Sequence, residues 1–213
     1  MNLPNKITMA RIILSIMLLV MLLLPWYQFG VEFPIYQVAN ISVKIGLDLP
    51  AVKVTEAIRV DVKYLIAGIL FLIASVTDFI DGHIARKYNM VTDFGKVMDA
   101  IADKLLVNGV LIVLACNGFI NVIIPVIIVS RDTIVDSIKM VVGSKIGSVG
   151  ASKAGKLKTI FMMCGVTLML FYNLPFEIWG IRVADTLIMI ATVLSIISGI
   201  EYYTKNRKYL LED

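Results

Sequence analysis

The chain is short of the residues on which many soluble enzymes rely. Its 213 residues include one His and two Cys, and only 17% are charged. Cys116 and Cys164 both fall in apolar stretches with no paired spacing, so a disulfide or thiolate metal site is not expected and both read as core residues. His83 stands alone and reads as a solvated or lipid-surface side chain, not a catalytic one. No His or Cys is among the acidic residues that carry the chemistry below, which argues against zinc. The basic residues are not interleaved with aromatics, so nothing calls for nucleic acid. The Gly- and Lys-rich segment 143–155 lacks the Walker order that would cradle a nucleotide. No internal repeat or low-complexity tract appears, and residues 1–213 read as a single membrane-embedded domain.

What the chain has in excess is apolar surface: 59% of its residues are hydrophobic, with a mean hydropathy of +0.87. No soluble domain of this size could bury that much, so lipid must be the solvent for much of it. A bilayer core of ~30 Å needs roughly 20 mostly apolar residues per helix. Six candidate spans meet this requirement, at 8–26, 60–82, 96–116, 120–142, 156–174 and 183–203. The fold class expected is therefore an all-α polytopic protein with six transmembrane helices. The first span lacks a small-residue cleavage site and reads as a retained helix. Lys and Arg bias puts both termini and the segments around Arg86, Lys145 and Lys153 on the cytoplasmic side. Residues 27–59 form an external loop that admits a hairpin or a surface helix.

The chemistry concentrates between Asp78 and Asp103. Asp78, Asp81, Gly82, Ala85 and Arg86 share one helix face, and Gly95, Asp99, Ala102 and Asp103 repeat the device. Two helix ends joined by a short loop would bring four aspartates together near the cytoplasmic membrane surface. Carboxylates at that depth are costly and repel one another, so something positive must compensate. Arg86 and Lys104 can supply part of that charge. Hard divalent cations, Mg²⁺ or Mn²⁺, do so more completely, and a pair of them could bridge a pyrophosphate. Asp93, in the loop, reads as solvated or capping.

The spacing Asp78-x-x-Asp81-Gly82-x-x-Ala85-Arg86, eight spacers, Gly95-x-x-x-Asp99-x-x-x-Asp103 resembles the signature of the CDP-alcohol phosphatidyltransferase family at every fixed position. The resemblance implies a six-helix membrane fold and two divalent cations. One would be held by Asp78, Asp81 and Asp99, the other by Asp78, Asp99 and Asp103, with Asp103 as general base. It also implies contacts from Gly82, Ala85, Arg86 and Thr92 to a CDP-lipid. The opening run Asn2 to Thr8 with Arg11, the run Ala102 to Leu106, and Gly155-Lys156-x-Lys158-Thr159 are similar to a subgroup that uses glycerol 3-phosphate as acceptor. Ala100 and Asp132 depart from it, standing where Pro and Glu are usual.

The reaction expected is transfer of the phosphatidyl group of CDP-diacylglycerol to glycerol 3-phosphate, with release of CMP. A phosphorylated acceptor needs cations of its own. Arg131 lies inside the fourth span, where an unpaired cation is unfavourable, and reads either as a phosphate ligand or as the helix partner of Asp132 or Asp136. Lys139, Lys156 and Lys158 are further candidates. Asn5 and Thr8 could offer hydrogen bonds to the nucleotide or simply cap the first helix. The same chemistry with inositol phosphate, serine or phosphatidylglycerol as acceptor stays open, as does, more distantly, a cation transporter. Membrane enzymes of this kind often pair, which admits a homodimer.

Overall fold

A long apolar run in lipid must satisfy every backbone polar group internally, which leaves the helix as its stable form. The computed structural model describes residues 3–44, 53–88, 92–147, 150 and 152–211. Its six long helices are α1 (Leu3–Leu23), α2 (Val62–Lys87), α3 (Asp93–Cys116), α4 (Ile123–Ile146), α5 (Lys153–Leu170) and α6 (Val183–Leu211). Each coincides with one of the expected spans. Among the described residues, three stretches are long and apolar enough to cross a membrane, Asn5–Leu23, Val62–Gly82 and Val183–Leu210. Helices α3 and α4 carry more charge, and so does the start of α5.

Helix α1 packs against α2 and α3, while α6 packs against α4 and α5. Leu18, Phe71, Leu106, Leu114, Ile128 and Ile188 anchor the shared core. Val135, Ile138, Val142 and Tyr202 form a smaller one between α4 and α6. Polarity is inverted relative to a soluble protein: Arg11, Asp81, Lys158, Ser195 and Ser198 are buried, while Ile13, Met17, Phe79 and Ile200 stand on the outside. A bilayer favours this arrangement. Cys116 and Cys164 correct the expectation from sequence, since both are exposed and not in the core. A thiol behaves as a small apolar group and is at home on a lipid-facing surface.

The segment between α1 and α2 contains an antiparallel hairpin, β1 (Ile35–Lys44) and β2 (Lys53–Asp61), with a register shift between Gln37 and Ala39. Of the two forms that the segment admits, the structure takes the hairpin. Asp61 then starts α2: its Oδ1 accepts from the Lys63 amide at 2.8 Å. Its own amide donates to the Tyr172 hydroxyl at 3.1 Å, tying hairpin and helix to the turn after α5.

A close contact between α5 and α6 runs through Gly165. A Cβ there would stand 2.7 Å from Ile188 Cγ1 and 3.1 Å from the Ile188 backbone nitrogen, so α5 and α6 meet only because the side chain is missing. Gly165→Leu is expected to cost about 1–3 kcal/mol by overpacking. Thermal unfolding in detergent should show a midpoint lowered by several degrees, and an unchanged midpoint would mean that the two helices are free to separate.

Candidate active site

The site begins on one face of α1. Asn5, Thr8, Arg11 and Ser15 follow one another at intervals of three or four residues and are all buried. Leu18 and Leu22 continue the same stripe as core. The polar half faces the end of α2 and the start of α3. Asn5 Nδ2 donates to Thr92 Oγ1 at 3.1 Å, and Thr92 Oγ1 accepts from the Gly95 amide at 3.0 Å, capping α3. A Cβ on Gly95 would meet Asn5 Oδ1 at 2.7 Å, so the glycine makes room for α1. Thr8 Oγ1 donates to Asp81 Oδ2 at 3.2 Å.

These contacts bring two helix ends together. Asp78 and Asp81 on α2 and Asp99 on α3 each offer a carboxylate oxygen, and the three oxygens lie within 4.8 Å of one another. Asp81 is buried, while the Asp99 side chain is 54% exposed, so the cluster opens on the α3 side. The Arg11 guanidinium sits among the three. It pairs with Asp78 and Asp99 and lies 3.8 Å from Asp81. Three carboxylates against one guanidinium leave a net charge of −2. An all-oxygen donor set with that residual charge fits a hard divalent cation of the Mg²⁺ or Mn²⁺ class.

Asp103 is not gathered with the other three. One turn further along the same face of α3, it lines a neighbouring cavity with Asn108, Asp132, Lys158, Thr159 and Met162. Behind this cavity lies a network across three helices. Asp132 Oδ1 accepts from Lys158 Nζ at 2.6 Å and from Arg131 at 2.9 Å. Arg131 also donates to the Ser195 carbonyl at 3.0 Å and to Ser198 Oγ at 2.6 Å. Gly199 leaves the space for it, because a Cβ there would stand 3.1 Å from Arg131 Cγ.

The expected cations are thus redistributed. Lys104 pairs with Asp136 on α4 and does not neutralise the acidic cluster, because its side chain points to the α4 face of α3. Lys139 lies 3.5 Å from Asp136 and over the Tyr202 ring, and Lys156 is exposed on α5; of the four candidate cations, only Lys158 and Arg131 converge, both on Asp132. Gly82 follows buried Asp81 on α2, whereas the side chains of His83, Ala85, Arg86 and Asp93 lie outside the described residues. Thr92 and Asn5 hold each other. Sequence reasoning missed Arg11, Ser195, Ser198 and Gly199 in these roles. Arg11 had a signal: it is a charge inside an apolar span on the same face as Asn5 and Thr8.

A profile of the CDP-alcohol phosphatidyltransferase family matches residues 1–197. The chain belongs to that family. It is 36% identical over 205 residues, 96% of its length and 95% of the relative's, to the CDP-diacylglycerol–glycerol-3-phosphate 3-phosphatidyltransferase of Bacillus subtilis (strain 168). A Rickettsia bellii (strain RML369-C) protein of the same name is 35% identical over 76% of this chain and 90% of its own length. One from Mycoplasma pneumoniae (strain ATCC 29342 / M129 / Subtype 1) is 31% identical over 80% of this chain and 68% of its own.

Two ion-pair groups of similar composition should respond differently to loss of their carboxylate. Asp132 is mostly buried with Lys158 and Arg131, whereas Asp136, Lys104 and Lys139 are each more than a third exposed. Asp132→Asn should cost about 3 kcal/mol or more by leaving two cations poorly compensated. Asp136→Asn should cost under about 1 kcal/mol. Comparable shifts of the unfolding midpoint for the two variants would contradict this reading of the network.

Proposed function

We propose that the chain transfers the phosphatidyl group of CDP-diacylglycerol to glycerol 3-phosphate, yielding phosphatidylglycerophosphate and CMP, at the cytoplasmic face of a bacterial cytoplasmic membrane. The observation that carries this reading is the adjacency of two sites on α3. The acidic cluster contains Asp99, and the cation-backed cavity contains Asp103, one turn away. The first suits a pyrophosphate neutralised by dications, the second a small phosphorylated alcohol. The names of the similar proteins agree with this pairing. Helices α3, α4 and α5 complete six spans in this reading.

Asp78, Asp81 and Asp99 would hold one divalent cation, and Asp78, Asp99 and Asp103 a second. When bound, such ions neutralise the charge that develops on phosphate oxygens. The chain's own groups do the rest. The arriving acceptor phosphate meets Lys158, whose position is fixed by Asp132; Arg131, held by Ser195 and Ser198, keeps Asp132 in place. That orientation points the C1 hydroxyl toward Asp103. Its carboxylate takes the hydroxyl proton as the oxygen attacks the lipid-side phosphorus, forming one P–O bond while the P–O bond to CMP breaks. Gly82, Ala85, Arg86 and Thr92 are the positions assigned to the CDP-lipid in this reading.

The test is incubation of purified protein with CDP-diacylglycerol, Mg²⁺ and a panel of alcohols, with mass detection of the lipid formed. Phosphatidylglycerophosphate should appear with glycerol 3-phosphate, and chelation of the metal should stop it. Asp103→Asn should lower CMP release by at least about 100-fold, the range lost with a general base, while CDP-diacylglycerol binding persists. Near-normal turnover in that variant would reject the base assignment, and product with another alcohol alone would reject the acceptor.

A further inference from the structure

Arg11 is the residue to which the proposed reaction gives no role. It is 1% exposed, a full charge buried within a mostly apolar helix, and its guanidinium meets all three carboxylates of the acidic cluster. Burying an arginine at membrane depth costs several kcal/mol unless the charge is compensated. Here the compensation is mutual, because three like-charged carboxylates from two helices would otherwise drive one another apart. Among the described residues, Lys104 is committed to Asp136 and Lys158 to Asp132.

The hold is also incomplete. Arg11 Nε finds no acceptor among the described residues, so the guanidinium is held by charge along one edge and is not locked on all sides. The oxygens it uses, Asp78 Oδ1, Asp81 Oδ2 and Asp99 Oδ1, belong to the carboxylates that would ligate a dication. A small hard cation coordinates carboxylate oxygen at about 2 Å and draws on the same lone pairs. Guanidinium and dication therefore compete for one set of donors.

We propose that Arg11 is the resident counter-cation of this site. It keeps Asp78, Asp81 and Asp99 gathered before a divalent cation arrives, and it lowers the affinity for that cation by competing with it. This is a positioning role, carried by a third helix, and it rests on the reading of the cluster as a metal site. Because α1 also carries Asn5 and Thr8, loading of the site is coupled to the seat of that helix on α2 and α3.

The test uses full-length protein in detergent, with wild type, Arg11→Gln and Arg11→Lys each purified in Mn²⁺ and then stripped. Mn²⁺ binding is followed by electron paramagnetic resonance, and thermal unfolding is measured in EDTA and in Mn²⁺. Arg11→Gln should unfold several degrees below wild type in EDTA, regain most of that loss in Mn²⁺, and bind Mn²⁺ about tenfold more tightly, the scale of one removed charge in a partly screened site. Arg11→Lys, which keeps the charge, should stay within about threefold of wild-type affinity. An Arg11→Gln protein that binds Mn²⁺ no more tightly, with a midpoint loss that Mn²⁺ does not recover, would make Arg11 a structural strut and overturn the proposal alone. Folded wild-type protein that takes up no Mn²⁺ would overturn the metal reading and the proposal with it.

Discussion

Everything at the α1–α3 corner of this fold depends on holding three carboxylates together at two helix ends. Mutual repulsion and desolvation both act against it. The chain answers with geometry on three helices. Asp78 and Asp81 share a face of α2, Asp99 comes in on α3, and α1 supplies the guanidinium between them. Thr8 supports Asp81, while Asn5 and Thr92 lock the start of α3 through the gap left by Gly95. Loosening any one of these would let the acidic groups separate, and with them the place where a pyrophosphate could be neutralised.

A second constraint shapes the other half of the molecule. Lys158 on α5 and Arg131 on α4 both face inward, and neither would be stable there alone. Asp132 compensates both, and α6 contributes Ser198, the Ser195 carbonyl and the space above Gly199. Close packing of α5 on α6 at Gly165 keeps Lys158 and this socket in register. The two halves meet along α3, where Asp99 belongs to the cluster and Asp103 to the cavity.

The sequence disclosed the helices because long apolar runs have few other options in lipid, and it disclosed the aspartates because their spacing matches helix faces. It also put Arg131 at a choice between phosphate and Asp132, and the structure pairs it with Asp132. Partner choice across helices was less legible. Lys104 faces α4 and not the acidic cluster, a matter of helix rotation that one-dimensional spacing does not encode. The counter-charge came instead from Arg11, which lies 67 positions before Asp78 and whose contact depends on tertiary packing. Ser198 and Gly199 look like ordinary small residues of an apolar helix until the arginine opposite is known. Cys116 and Cys164 pass for core residues in the sequence because apolar surroundings look alike whether they are protein or lipid.

In the proposed reaction, oxygens from α2 and α3 jointly bind a divalent cation at the point now held by Arg11. Anomalous diffraction from crystals of the protein grown with Mn²⁺ tests this most directly. The account predicts a peak coordinated by Asp78, Asp81 and Asp99, with the Arg11 guanidinium withdrawn from at least one of them. Density for the ion elsewhere, or a guanidinium unmoved among the three carboxylates at saturating Mn²⁺, would contradict it.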